Sequence, residues 1–414
     1  MLGTSINAFE LLDHLGTSTP YRPSPESGVT PPPSCQLHQV NMVLRHGTRH
    51  PTPDTVREAD VLYRQLQDVL ARQAQVPNWL REWRPRFDRS QSGELTTIGV
   101  REHYELARRL AARYPDVFGQ PHRADLARLR STKKSRAQNS ARAFAIGLWH
   151  KTGNITQQGF ELASFIYTTG PLNNDPILRP FDMCPRYNYS LQDPQTRIHY
   201  RQYMTRTSPR IAAHIQARMG IELDPRLVKS LWKMCKAEVS ALGSSSLCAL
   251  FDADDVLALE LGDDIGTYWK KGPGRPINSQ MICPLLQDIQ TSITAASQDV
   301  NSGRLDLRFA HAETIIPLVT SLGLFQDNHN MTSDSDVSQL RSRSWRMSRV
   351  SPYAANVAFH LFRCPGQILI EVLHNEQPLP MPFCSGQYFC PMKTFQDHLM
   401  QFTSCCNLTK ICSL

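Results

Sequence analysis

The chain has 414 residues, 41% of them apolar, which is room for one large domain or two modest ones with a full core. Its 45 Lys and Arg against 37 Asp and Glu give a net charge of +8, favouring an anionic partner: nucleic acid, an anionic membrane surface or a polyanionic small molecule. Without a run of 18 apolar residues no membrane span is expected, and eleven cysteines without a Cys-x-x-Cys pair exclude the usual zinc ribbon.

Residues 15–38 are rich in Pro, Ser, Thr and Gly and read as an irregular lead-in. The residues before them lack a basic stretch followed by an apolar one, so either the chain is mature or trimmed or the protein is not secreted, and the cysteines favour the former. "HQVNMVL" reads as a buried strand, and behind it crowd Arg45, His46, Gly47, Arg49 and His50. Apolar residues recur at helical spacing from Asp60 to about Ala74, before "PNWLREWRPRF" interrupts. "GELTTIGVREHYELARRLAARYP" predicts an amphipathic helix with Thr96 or Thr97 as N-cap and Pro115 beyond its end. "ADLARLR" is a short strand ending at Arg130, and "SRAQNSARAFAIGLWH" a helix. Residues 175–300 carry helical periods such as "RLVKSLWKMCKAEVSALG" and read as a mainly helical insertion. "LDLRFA" is a further strand, followed by His311, Ala312, Glu313 and a helix. Residues 333–351, rich in Ser and Arg, read as an exposed loop, and "PYAANVAFHLFRC" with "QILIEVLHNE" as a closing pair of strands. Strands alternating with helices in the outer pieces predict α/β architecture with a mostly parallel central sheet flanked by helices. The α/β core would comprise residues 1–56, 94–174 and 300–414. Residues 57–93 and 175–299 would be mainly helical insertions forming a cap.

In an open α/β sheet, ligands sit outside the carboxyl ends of the strands. Three strands here end in Arg45-His46-Gly47-x-Arg49, in Arg130, and in His311-Ala312-Glu313. Three arginines and a histidine in one pocket repel one another until an anion arrives. A phosphate dianion resolves the repulsion, because planar guanidinium forks match its oxygens and also stabilise charge on a transferring phosphoryl group. A neutral imidazole can then attack phosphorus, Gly47 leaves room for the backbone to bend, and the Glu313 carboxyl can protonate the leaving alkoxide.

"RHGTRHP" is the R-H-G-x-R-x-P signature of the histidine phosphatase superfamily, acid phosphatase branch. "HAE" in place of that branch's His-Asp pair resembles the multiple inositol polyphosphate phosphatases, the group that includes plant phytases. "GELTTIG", "KGPGRPIN", "RFAHAETIIPL" and "EVLHNE" are similar to that group as well, from about Tyr21 to Cys390. The resemblance implies the histidine phosphatase fold and removal of phosphate from inositol polyphosphates, phytate included. It implies that His46 is the nucleophile and Glu313 the proton donor, with Arg45, Arg49, Arg130 and His311 holding the phosphate. Lys271, in the "KGPG" segment, resembles a lysine of the helical insertion that faces substrate. No metal or organic cofactor is expected. Alternatives are a general histidine acid phosphatase, a 2,3-bisphosphoglycerate phosphatase, and, in another class, a binding protein for inositol phosphates without turnover.

The same resemblance implies disulfides Cys35–Cys364, Cys235–Cys248 and Cys384–Cys390, and one from Cys184 to Cys405 or Cys406. Cys283 and Cys412 are left without an assigned partner, and the odd count leaves one thiol free. Together with Asn-x-Ser/Thr triplets at Asn154, Asn188, Asn330 and Asn407, the cysteines suggest a disulfide-bonded glycoprotein of the secretory route: secreted to the apoplast, vacuolar, or in the endoplasmic reticulum lumen. Arg130 lies in a basic run (Arg123, Arg128, Lys133, Lys134, Arg136, Arg142), but few aromatics interleave, so no nucleic acid partner is expected. A monomer acting on a polyanionic small molecule is expected. His50, His374 and Asn375 are assigned structural roles.

Overall fold

The computed structural model describes residues 10–23, 29–118, 127–151, 154–155, 166–299, 304–338 and 342–414, so Arg123 lies outside the described residues. Eight strands form the central sheet: β1 (Gln36–Arg45), β2 (Ala127–Ser131), β3 (Ile166–Thr168), β4 (Leu305–Ala310), β5 (Asn356–Cys364), β6 (Gln367–His374), β7 (Gln377–Leu379) and β8 (Phe389–Pro391). Their order is β8-β6-β5-β1-β4-β2-β3, with β7 paired to β6. β1 is buried from His38 to Arg45 because it is central, and it runs parallel to β4 with Arg45 opposite Ala310. The parallel order covers β1, β4, β2 and β3 only. The other half is antiparallel, because β5 and β6 are joined by a two-residue turn in which Gly366 supplies a φ of 75°.

The main helices are α1 (Pro53–Leu70), α2 (Thr97–Arg113), α3 (Ser135–Leu148), α4 (Pro194–Met219), α5 (Pro225–Leu242), α6 (Ala253–Lys271), α7 (Cys283–Gln298), α8 (Ala312–Ser321) and α9 (Met392–Thr403). α1 begins seven residues earlier than its apolar spacing suggests, because Thr52 caps it and Pro53 supplies the helical φ of its first residue. α2 and α3 cover one face of the sheet: Leu106, Ala107 and Phe144 pack on Leu44 and Phe309. On the other face, Leu286 and Ile289 of α7, Ile315 of α8 and Phe395 of α9 pack against Val43 and Phe359. α7 therefore lies on the sheet, although the sequence places it in the helical insertion.

A third apolar cluster joins α1 to α4, α5 and the first half of α6 through Leu62, Leu66, Ile215, Leu231, Trp232 and Leu259. The second half of α6, with Leu261, Ile265 and Tyr268, belongs to the sheet-side cluster instead, so this helix bridges the outer helices and the sheet. Residues 342–350 fasten it. They are not the exposed loop that their Ser and Arg content suggests: Arg343 Nε donates to Asp264 at 3.0 Å, Arg346 Nη2 donates to Glu260 at 3.0 Å, and Trp345 is buried. A buried charge is retained where a partner neutralises it, and two acids on α6 do that here. A Cβ on Gly272 would lie 2.3 Å from the Trp345 ring, so the glycine after α6 lets the helix end close on that tryptophan.

Five disulfides are formed, and Cys405 is free and exposed. Cys35–Cys364, Cys235–Cys248 and Cys384–Cys390 are paired as the resemblance implies. Cys184 differs: its partner is Cys412, because the short helix Leu408–Cys412 packs back on Pro185–Gln192, while Cys406 meets Cys283 at the start of α7. Among the described residues no helix is long and apolar enough to cross a membrane.

Candidate active site

β1 ends inside the molecule, and its last residue delivers the first cation. Arg45 is buried, donates from Nη1 to the carbonyls of Thr17 (2.6 Å) and Ser351 (2.7 Å), and lies 4.3 Å over the Tyr353 ring. Burial, with Arg49 nearby, pulls its guanidinium down to about 10 despite Tyr353, Glu313 and Glu102. It still carries its charge at neutral pH.

His46 follows, only 3% exposed. Its Nδ1 lies 2.8 Å from its neighbour Gly47's carbonyl oxygen, an acceptor, so Nδ1 holds the hydrogen and Nε2 keeps its lone pair. Burial first, then the charges of Arg136, Arg45, His311 and Arg49, hold the imidazole well below its usual range. The ring is therefore neutral, as a nucleophile must be.

The turn after β1 is held by α2. Glu102 accepts from Thr48 N (2.6 Å), Thr48 Oγ1 (2.7 Å) and Tyr21 N (2.8 Å), and His103 Nε2 meets the carbonyl oxygen of Arg45 at 3.0 Å. Close approach, more than a bend, accounts for Gly47: a Cβ there would lie 2.4 Å from the Gly99 carbonyl oxygen, and a Cβ on Gly99 would lie 2.2 Å from that of Thr48. The two glycines let the start of α2 press against the site. Thr96 caps α2 and also donates to Thr48 O, which ties the "GELTTIG" segment to the "RHGTR" segment. Sequence reasoning missed Glu102 and His103, because a helical Glu-His pair reads as solvent-facing until its partners are known.

Arg130 does not reach this bay. As a strand residue it turns to the face covered by α7, where its guanidinium bonds Asp288 (2.7 and 2.9 Å) and Asp306 (2.9 and 3.0 Å) beside Arg308. The cation that does act on His46 and His311 is Arg136, in the first turn of α3. Its Nε is buried without a partner, and burial together with Arg49 and Arg179 pulls it down to about 10 despite Glu313. Arg49 lines the adjoining cleft and donates from Nη1 to the His50 carbonyl at 2.8 Å.

β4 delivers the remaining pair. His311, 1% exposed, lies with its ring centroid 5.4 Å from that of His46 and its Nε2 3.0 Å from Thr132 Oγ1. Burial, then Arg136 and Arg179, hold it well below its usual range. Glu313 stands in the first turn of α8 with a third of its side chain exposed, and accepts from Lys271 Nζ at 2.7 Å. Burial favours its neutral form, but the Lys271 ammonium, together with His311 and a backbone hydrogen bond, outweighs that and keeps the carboxyl well below the usual carboxylate range. The structure thus brings Arg45, His46, Arg49, His311, Glu313 and Lys271 together and leaves Arg130 outside.

A cleft of about 370 Å³ opens from Arg49 and Tyr353 towards α5 and α6. Lys229, Lys233 and Lys236 of α5 and Lys270 and Lys271 of α6 line it. Lys229 and Lys270 lie over the Tyr200 ring at 5.2 and 5.6 Å. Burial, then Lys271, Lys229 and Arg197, pull Lys270 down to about 8. Lys236 and Lys233 are paired with Asp263 and Glu58, so the outer rim is partly neutralised. His374 and Asn375 lie behind Arg349 and Val350, bonding their carbonyls at 2.8 Å each.

Residues 36–377 match the histidine phosphatase superfamily, branch 2. The chain is 28% identical to multiple inositol polyphosphate phosphatase 1 of Homo sapiens, over 92% of this chain and 82% of that protein. The crystal structure of the phytase from D. castellii superposes with a TM-score of 0.79 at 17% identity, covering 99% of this chain and 89% of that one. That of the Bifidobacterium longum multiple inositol polyphosphate phosphatase, in complex with inositol hexasulfate, gives 0.74 at 15% identity, with 94% and 98% covered.

Proposed function

The chain belongs to the histidine phosphatase superfamily, branch 2, and from that premise we propose that it is a phosphomonoesterase for inositol polyphosphates, phytate included, working through a phosphohistidine. One observation carries the reading: a neutral buried histidine at the floor of an arginine bay that opens into a lysine-lined cleft. A simple phosphate monoester needs only the bay. Five lysines beyond it suit a ligand bearing several phosphates, each with between one and two negative charges near neutral pH.

The reacting phosphate lies against Arg45, Arg49, Arg136 and His311. His46 Nε2 attacks phosphorus, a bond from Nε2 to phosphorus forms, and the bond from phosphorus to the ester oxygen breaks. Glu313 gives its proton to the leaving alkoxide. A water then attacks the phosphohistidine, its proton passes to the Glu313 carboxylate, and inorganic phosphate leaves with His46 neutral again. The arginines stabilise charge on the phosphoryl group throughout, without reorganising.

Phosphate release from phytate, compared with release from a simple aryl phosphate, tests the reading. The purified chain is expected to release phosphate from phytate without added metal and with the higher kcat/KM. Binding without turnover would make it an inositol phosphate binder, and preference for the aryl ester a general acid phosphatase. The five disulfides suit an oxidising compartment, and the exposed Asn188, Asn330 and Asn407 suit glycosylation there. A glycoprotein of the secretory route is expected to lose apparent mass when treated with an amidase that removes N-linked glycans.

A further inference from the structure

Glu313 must carry a proton to act, yet Lys271 Nζ stands 2.7 Å from its Oε1 and favours the carboxylate. Both side chains are partly exposed, at 26% for Lys271 and 34% for Glu313, so the contact borders the cleft and is open to a ligand. We propose that Lys271 is a latch on the proton donor, and that a second phosphate of the same substrate releases it.

The inference rests on the function proposed above. The groups facing Glu313 are Lys271 at the end of α6, His311 just before it in the chain, Arg45 of β1, Arg136 of α3 and Tyr187 of the helix Pro185–Gln192. A phosphate in the bay offsets the charges of Arg45 and Arg136. It leaves Lys271 in place, because that lysine stands on the α6 side and faces the cleft with Lys229, Lys233, Lys236 and Lys270. A second phosphate entering the cleft offers the Lys271 ammonium a dianion in place of the carboxylate. Glu313 then loses its neighbouring cation, gains a neighbouring anion, and takes a proton from solvent.

A substrate with one phosphate makes no such offer, so Glu313 stays ionised and the alkoxide lacks its acid. Selectivity for polyphosphorylated substrates would thus reside in the chemical step as well as in binding. Lys271 is held for this role. Gly272 closes on Trp345, and Asn278 Nδ2 donates to the carbonyls of Trp269 (3.2 Å) and Gly272 (2.8 Å), which fixes the end of α6 above Glu313. These contacts give the "KGPGRPIN" segment a positioning task.

The test uses Lys271→Met and Lys271→Arg with two substrates, phytate and glycerol 2-phosphate, a monoester whose alkoxide needs the proton. On glycerol 2-phosphate, Lys271→Met is expected to raise kcat/KM at pH 6 by about tenfold and to move the alkaline fall of the pH profile upward. The same variant should lose kcat/KM on phytate. Lys271→Arg, which keeps a cation on Glu313, should lack that rise on the monoester. Unchanged or lowered monoester turnover in Lys271→Met, with the fold intact by circular dichroism, would overturn the latch. Failure of the wild type to release phosphate from phytate would overturn the function reading alone, and the monoester arm would still decide whether Lys271 holds Glu313.

Discussion

At the scale of single residues, the site separates two arginines that the sequence presents as equals. Arg130 and Arg136 lie on the same strand-turn-helix segment, but the guanidinium of one is bonded to Asp288 and Asp306, while the charge of the other acts on His46 and His311. Arg136→Ala is therefore expected to lower kcat/KM by about a hundredfold or more, since one donor to the reacting oxygens is lost, with little change in thermal stability. Arg130→Ala should do the reverse. It leaves the buried Asp306 and the half-buried Asp288 to Arg308 alone and is expected to cost about 3 kcal/mol in urea unfolding. Lys270 yields a further expectation. Its ammonium, pulled down to about 8 by burial and by Lys271 and Lys229, is charged below that pH and neutral above it. kcat/KM for phytate should accordingly fall as pH rises through about 8, a limb that Lys270→Arg removes.

Among the elements, the start of α2 is what shapes the site's floor. Gly47 and Gly99 meet without side chains, so Gly47→Ala must push α2 away from the His46 turn and loosen Thr48 from Glu102. Overpacking of this kind costs about 1–3 kcal/mol, and kcat should drop more steeply than the melting temperature suggests. The proposed nucleophile and acid are legible in the sequence, because each stands just after a strand whose apolar run marks it as buried: His46 two residues beyond "VNMVL", Glu313 three beyond "LDLRFA". Arg130 misleads for the same reason. The strand-end rule finds the position along the strand but not the face to which an alternating side chain turns, and α7 with its Asp288 is remote in sequence. Arg136 is marked only by its place in a helix's first turn. The segment from Ser342 to Val350 is hidden by composition: four of its residues are Ser or Arg pairing with acids on α6 or lying beside Trp345, and pairs across such a separation leave no local signal.

Taken as one molecule, the chain divides its charge by task. Cations gather where a ligand needs them, in an arginine bay for one phosphate and a lysine-lined cleft for others, while buried arginines elsewhere are matched by acids. The α/β class and the helices around the sheet follow from periodicity. The antiparallel half and the tail pairing Cys184–Cys412 depend on contacts between distant segments. His46 is the residue proposed to take the phosphoryl group of an inositol polyphosphate. Protein mixed with phytate, quenched in base within milliseconds and digested, tests it by mass spectrometry. A phosphorylated peptide carrying the group on His46 is expected, absent from His46→Ala, which should release no phosphate. Phosphate on another residue, or steady release from phytate by His46→Ala, would contradict it.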